Sequence, residues 1–480
     1  MENWLTKRVL LSPKQTAVVF DGQERTFQEL DQDVQKWAKH LAGLEHLPKR
    51  VAVLTGNNLT GYEIILALQQ LGRTLVLLNS RLASDELQFQ LDDAEIQLCL
   101  VSDELVAQYQ LKVEQQLTFT ALRQIKAARA QIISDFVEDQ VTTIMYTSGT
   151  TGRPKGVQQT FKNHFYSAVG SALNLGLGTD DNWLCAVPIF HISGFSIMMR
   201  GLIYGMTVTL FDQFNAGKVA QALAQQPVTT MSVVPYMLKQ LLALQPVVPY
   251  NPRFRCLLLG GGPIDRETLE VCQQRQIPVI QSYGMTETAS QVVALSFKDA
   301  PRKIGSAGKP LFPVSVRIQG ASQPGQVGEI YLQSPTLTPG YLKRPAKNKQ
   351  LLAAGWFKTG DLGYLDAEGF LFVKGREGDM ISSGGENIFP NEVEAAYVNF
   401  PELSQIVVVG VVDEKWGARP IAFVAGTRLT ATALREYGRA HLAHYKVPVV
   451  FYQVEDFPRT ASGKIQRRRL LNAHYQQNKL

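Results

Sequence analysis

Tyr146-Thr147-Ser148-Gly149-Thr150-Thr151-Gly152-Arg153-Pro154-Lys155-Gly156 follows directly on the strand-like run Val141 to Met145. Hydroxyl residues, glycines and one lysine crowd into this short loop. Glycines let backbone N–H groups approach a phosphate, hydroxyls donate further hydrogen bonds, and Lys155 supplies positive charge. No Gly-Lys-Ser/Thr closes the loop and Pro154 interrupts any helix start, so it is not a Walker A loop. The bland alternative is a flexible surface loop.

Working outward, the chain before this loop alternates strand-like and helix-like periods. Arg50 to Thr55, Thr74 to Leu78 and Ile96 to Val101 read as strands, with helices over Tyr62 to Leu71 and Ser84 to Leu91. That βαβαβ run predicts a parallel sheet covered by helices. The pattern resumes after the loop: strands at Thr207 to Phe211, Thr229 to Val234, Arg255 to Leu259 and Pro278 to Ser282, helices at Gly217 to Gln225 and Asp265 to Arg275. After Ile304 short β-like pieces with Gly and Pro punctuation predict an antiparallel module: Val314 to Ile318, Gly328 to Gln333 and Phe370 to Val373. The expected fold class is therefore α/β, a large body of two α/β lobes plus a β module over residues 1–375. A linker or hinge follows at 376–379, then a small mobile α+β domain over 380–480.

The 480 residues are 45% apolar and 19% charged, which excludes a disordered chain. No apolar run reaches membrane-spanning length and the N-terminus lacks a signal-peptide pattern, so a cytoplasmic location is expected. Cys99, Cys185, Cys256 and Cys272 form no CxxC pair and read as buried free thiols. Lys and Arg exceed Asp and Glu by 48 to 42, partly through Arg467-Arg468-Arg469, which reads as a solvated helix face or an anion contact rather than a nucleic-acid site.

The loop resembles the signature of the adenylate-forming enzymes: acyl-CoA synthetases, peptide-synthetase adenylation domains and beetle luciferases. Other motifs of that superfamily follow in its order: Pro188-Ile189-Phe190-His191, Gly260-Gly261-Gly262-Pro263, Tyr283-Gly284-Met285-Thr286-Glu287, Thr359-Gly360-Asp361, Gly375-Arg376 and Pro458-Arg459-Thr460-Ala461-Ser462-Gly463-Lys464. The resemblance spans about residues 140–470. It implies that Thr147, Ser148, Gly149, Thr150, Thr151, Gly152 and Lys155 hold ATP phosphates. Glu287 is implied as the Mg²⁺ ligand, a hard carboxylate for a hard cation. Gly260, Gly261, Gly262, Pro263, Tyr283, Gly284 and Thr286 would surround the nucleotide, with Tyr283 stacked on adenine. Asp361 would accept from the ribose hydroxyls and Arg376 would contact the same sugar. Lys464 would be the catalytic lysine, delivered from the small domain by closure about the hinge. Gly384 and Gly385 would meet CoA in a second domain orientation. At the hinge position often held by Asp or Lys stands Gly378, which tolerates rotation. Without the family, Thr-Gly-Asp is a turn, Tyr283 a core residue, and Glu287, Arg376 and Lys464 surface charges.

For the acid, Arg200 stands inside the apolar run Phe195 to Ile203, where a cation needs an anionic partner. Either a structural salt bridge or a second carboxylate on the substrate would meet that need. The phrases around Asn174 to Leu177, Pro188 to Gly194, Leu259 to Pro263 and Ile304 to Phe312 resemble the o-succinylbenzoate–CoA ligases of menaquinone biosynthesis. That resemblance implies an acyl site at His191, Arg200, Ser232, Ser290 and Gln291, and a ligase working on a small carboxylate, ATP and CoA, with a homo-oligomer allowed. The alternatives are a ligase for a benzoate, cinnamate or medium-chain fatty acid, a carrier-protein-loading adenylation enzyme, and a non-catalytic nucleotide-binding module.

Overall fold

The computed structural model describes residues 1–480 except 148–153, 245–248, 263, 354, 385, 461–464, 473, 474, 476 and 477. The expectations for Ser148, Gly149, Thr150, Thr151, Gly152, Pro263, Gly385 and Lys464 lie outside the described residues.

The first α/β lobe is a six-stranded sheet in the order Gln115–Thr118, Leu98–Val101, Arg50–Leu54, Thr74–Leu78, Val141–Thr147, Lys155–Thr160. Its strands are parallel except the last, which returns antiparallel to Val141–Thr147. Both faces are buried, and the side chains sort by strand alternation. Val51, Val53, Leu75 and Leu77 join the main core. Ala52, Leu54, Val76 and Leu78 pack instead beneath Leu87 and Leu91 of helix Ser84–Asp93. That two-sided burial is why these strands read as unbroken apolar runs.

The second lobe is a nine-stranded sheet. Parallel strands run from Val279–Met285 through Cys256–Leu259, Thr230–Val233, Asn182–Cys185 and Thr207–Leu210 to Thr16–Phe20. Two features that the sequence reading did not give appear here. The N-terminal hairpin Thr16–Phe20/Gln23–Thr26 closes the far edge, so the lobes interleave along the chain instead of following one another. Ser290–Ala294 and Lys309–Pro310 add antiparallel pairing at the near edge. The main cluster runs through both sheets, from Val53 to Leu184, Met231 and Leu257.

The third sheet is antiparallel, as expected, but Thr359-Gly360-Asp361 is no turn. It lies inside the ten-residue strand Trp356–Leu365, with Gly360 at φ 69° as a local kink. Arg376 likewise ends the strand Leu371–Arg376 and sits in register opposite Asp361. Gly378 follows within the single turn Glu377–Asp379. From Ile381 onward a separate five-stranded sheet carries its own core on each face, around Val408 and Phe451 on one and Val407 and Phe423 on the other.

The basic run Arg467-Arg468-Arg469 is not a uniformly solvated face. Arg467 is largely buried, donating to Glu394 Oε2 at 2.8 Å, Asn391 Oδ1 at 2.7 Å and the Val408 carbonyl at 2.9 Å. The four cysteines are free and buried. Among the described residues no helix is long and apolar enough to cross a membrane.

Candidate active site

The parallel strands of both lobes end at one cleft of about 1470 Å³. Thr147, Val233 and Gly260 line it, each at or just past the carboxyl end of its strand, the usual ligand position in α/β sheets, and Ser282 lines it from within Val279–Met285. Lys155, Gly261, Gly284, Thr286, Glu287 and Arg376 also face it, as do Arg459 and Arg467 to Arg469 from the C-terminal region. Gly262 is exposed and stands off the cleft wall.

Behind the cleft-lining Arg376 a buried carboxylate organises two groups. Asp361 Oδ2 accepts from the Tyr283 hydroxyl at 2.7 Å, and Oδ1 pairs with Arg376 Nε at 2.7 Å. Arg376 Nη1 also holds the Thr359 carbonyl at 3.2 Å. Burial and the adjacent Asp361 charge keep the Tyr283 phenol far above its ordinary pKa, so it stays a donor. The sequence reading expects Tyr283 to stack on a base; in the structure its hydroxyl braces Asp361.

On the cleft wall, Glu287 Oε1 accepts from the Tyr341 hydroxyl at 2.8 Å. Tyr341 is absent from the sequence reading; only its place beside Gly340 hinted at a constrained position. Among the described residues no group of three or more His, Cys, Asp and Glu could hold a metal. Glu287 by itself fits a hard cation whose other ligands are phosphate oxygens and water, which is the way Mg²⁺ is commonly held. Lys155 stands close by, its ammonium pushed down to about 8 by burial and then by the neighbouring Lys347.

The wall around Arg200 is buried and polar. Arg200, on helix Ile192–Tyr204, is 1% exposed. Its Nη2 donates to Gln291 Oε1 at 2.9 Å and lies 3.4 Å from Ser167 Oγ, and its guanidinium sits 5.3 Å from the Trp183 ring. Nε and Nη1 have no hydrogen-bond partner among the described residues. The salt bridge that sequence reasoning offered for Arg200 is thus not made there. Gln291 is itself positioned, accepting from Ser290 Oγ at 2.7 Å and donating to Ser171 at 3.0 Å. Ser290 adopts φ 117°, a region a non-glycine residue rarely enters. Thr288 Oγ1 holds this bend by donating to the Ser290 carbonyl at 2.6 Å. Ser232 lines the same wall and accepts from Trp183 Nε1 at 3.1 Å. His191 caps the Arg200 helix; burial, then the nearby Arg81 charge, lower its pKa to about 4, so the ring is neutral. His164, behind Arg200, is pushed down to about 3 by burial and the Arg200 charge.

Gly384, like Gly262, does not line the cleft. It packs on Trp416, where an added Cβ would meet the ring at 2.8 Å. The residues that sequence reasoning missed are Tyr341, Lys347, Arg81 and Ser196, all cleft-lining.

The chain belongs to the AMP-binding enzymes. The model described as AMP-binding enzyme matches residues 5–342, and the one described as AMP-binding enzyme C-terminal domain matches 392–464. A 2-succinylbenzoate–CoA ligase of Listeria monocytogenes is 47% identical over 476 residues, 99% of this chain and 100% of that protein. The o-succinylbenzoate CoA synthetase of Bacillus subtilis is 40% identical, and its complex with the acyl-adenylate intermediate OSB-AMP matches with a TM-score of 0.93 over 99% of both chains. Its complex with ATP and magnesium ion scores 0.92, over 98% of this chain and 100% of that one. A double mutant of the same synthetase, bound to the product analogue OSB-NCoA, scores only 0.76 over 98% of each. Within the AMP-binding enzymes, this chain groups with the 2-succinylbenzoate–CoA ligases.

Proposed function

We propose that this enzyme activates 2-succinylbenzoate with ATP and transfers the acyl group to CoA, giving o-succinylbenzoyl-CoA, AMP and diphosphate for menaquinone biosynthesis. The observation that carries the substrate choice is Arg200: a buried guanidinium lining the cleft, with two nitrogens that have no hydrogen-bond partner among the described residues. A diacid presents one carboxylate to Arg200 and the other to the nucleotide; a neutral-tailed acid would leave the cation unpaired.

In this reading Asp361 and Arg376 take the ribose, and Gly260, Gly261, Gly284 and Thr286 border the adenosine. Thr147 and Lys155 take the phosphates. Arg200, with Gln291, Ser290, Ser232 and neutral His191, fixes the acid so that its succinyl carboxylate faces the α-phosphorus. That carboxylate oxygen bonds to phosphorus, and the bond to the bridging oxygen breaks with its electron pair leaving on diphosphate. No protein nucleophile is needed; positioning and charge neutralisation are the catalysis. Mg²⁺, held by Glu287 and phosphate oxygens, would neutralise part of the phosphate charge. Lys464 would bridge the carboxylate and the α-phosphate.

The CoA thiol then attacks the acyl carbon and AMP departs. For that step residues 380–480 would turn about 376–379 and bring Gly384 and Gly385 toward the cleft. Support comes from the relative: this chain lies near its acyl-adenylate form and further from the form with the product analogue. A cytoplasmic location, where ATP and CoA are available, completes the reading. The test is diphosphate release with ATP, Mg²⁺ and CoA across 2-succinylbenzoate, benzoate, 4-coumarate and octanoate. A preference for a monoacid would overturn the assignment.

A further inference from the structure

Lys155 and Lys347 meet over one aromatic ring. Their Nζ atoms lie 5.5 Å and 5.7 Å from the centroid of Tyr341, so two positive charges share one small stretch of the cleft wall. An ammonium is a donor only, so neither can accept from the other, and their charges repel until an anion joins them.

The local scaffold gives Lys347 little room to withdraw. Asn348 Oδ1 accepts from the Tyr341 N–H at 2.8 Å and Nδ2 donates to the Tyr341 carbonyl at 2.9 Å. A Cβ on Gly340 would meet that same Asn348 side chain at 2.6 Å, so the glycine is what lets the clamp close. Arg344 is tied to Asp93 at 2.8 Å. The helix Pro345–Leu351 is therefore pinned on both sides of Lys347. Both lysines line the cleft, and Glu287 sits at the hydroxyl end of the tyrosine they share.

We propose that Lys347 is a second phosphate-binding lysine, which with Lys155 grips the β- and γ-phosphates of ATP and the diphosphate that leaves. This rests on the adenylation reading above. When the bond between the α-phosphorus and its bridging oxygen breaks, the negative charge on diphosphate grows where the two ammonium groups stand, and no proton has to move. The adenylate left behind carries no group at that place. Lys347 therefore distinguishes ATP and diphosphate from AMP.

The test is calorimetric titration of the full-length protein with ATP, AMP and inorganic pyrophosphate, each at fixed Mg²⁺ and without the acid. For Lys347→Gln, ATP and pyrophosphate affinity should fall roughly ten- to a hundredfold, the worth of a charge-assisted hydrogen bond, with AMP affinity unchanged. Lys347→Arg should restore most of the loss. Equal weakening of all three ligands would make Lys347 merely structural, and unaltered ATP binding would remove it from the site; either overturns the proposal. If the unsubstituted protein binds neither ATP nor AMP, the nucleotide reading falls first and takes this one with it.

Discussion

Replacing Arg200 by Met keeps the bulk and removes the charge. In the free protein the guanidinium is 1% exposed, and among the described residues it has Gln291 and, weakly, Ser167 as hydrogen-bond partners and the Trp183 ring beside it, with no ion pair, so the fold carries its desolvation cost largely uncompensated. Removing it should leave the unfolding midpoint in urea unchanged or raised. With the diacid bound, Nε and Nη1 are free to engage a carboxylate. Deleting one partner of a buried charge pair costs about 3–5 kcal/mol, so kcat/KM for 2-succinylbenzoate should fall roughly 150- to 5,000-fold. Activity with benzoate, which brings no second carboxylate, should hold or rise. Diphosphate release measured on both acids, beside the urea curves, reads all three quantities. A lowered midpoint with equal loss on both acids would refute the reasoning, because Arg200 would then be a structural cation.

His164 and His191 are held near 3 and 4 by burial. The unfolded chain binds protons at these positions that the fold does not, so stability is full above about pH 6.5 and falls as acid is added toward those values. His164→Gln should flatten that fall by up to about 1.4 kcal/mol per pH unit, read from midpoints across the range; an unchanged slope would contradict it. Asp361→Asn strips Arg376 of its partner at 2.7 Å; ATP and AMP binding should weaken together, unlike the Lys347 pattern. Glu394→Ala leaves the largely buried Arg467 without its carboxylate and should cost about 3–5 kcal/mol in urea unfolding.

Arg200 is legible from sequence because a charge in an apolar helical run is anomalous by itself. The central strands are legible for a related reason: burial on both faces makes Leu75 to Leu78, within the strand Thr74–Leu78, an unbroken apolar run. Features made by distant segments leave no such mark. Thr16–Phe20 gives no sign that its partner is Thr207–Leu210, and Thr359-Gly360-Asp361 reads as a turn because its strand pairing lies elsewhere in the chain. Motif resemblance supplied Glu287, Asp361 and Arg376, yet not Tyr341, whose hydroxyl reaches Glu287 from a remote segment. Lys347 is hidden for the same reason, since nothing in its own neighbourhood in the sequence records that Lys155 faces it. Arg467 misled in the opposite direction: a triplet of arginines suggests a solvated face, and only packing against Glu394 buries the first of them.

The central claim is that ATP is split to join AMP to a diacid before CoA takes part. Mass spectrometry of a single turnover with 2-succinylbenzoate, ATP and Mg²⁺, first without CoA and then with it, tests this most directly. The account predicts 2-succinylbenzoyl-AMP and diphosphate in the first stage, then the CoA thioester and AMP in the second. Formation of ADP, or no diacid-dependent adenylate, would contradict it.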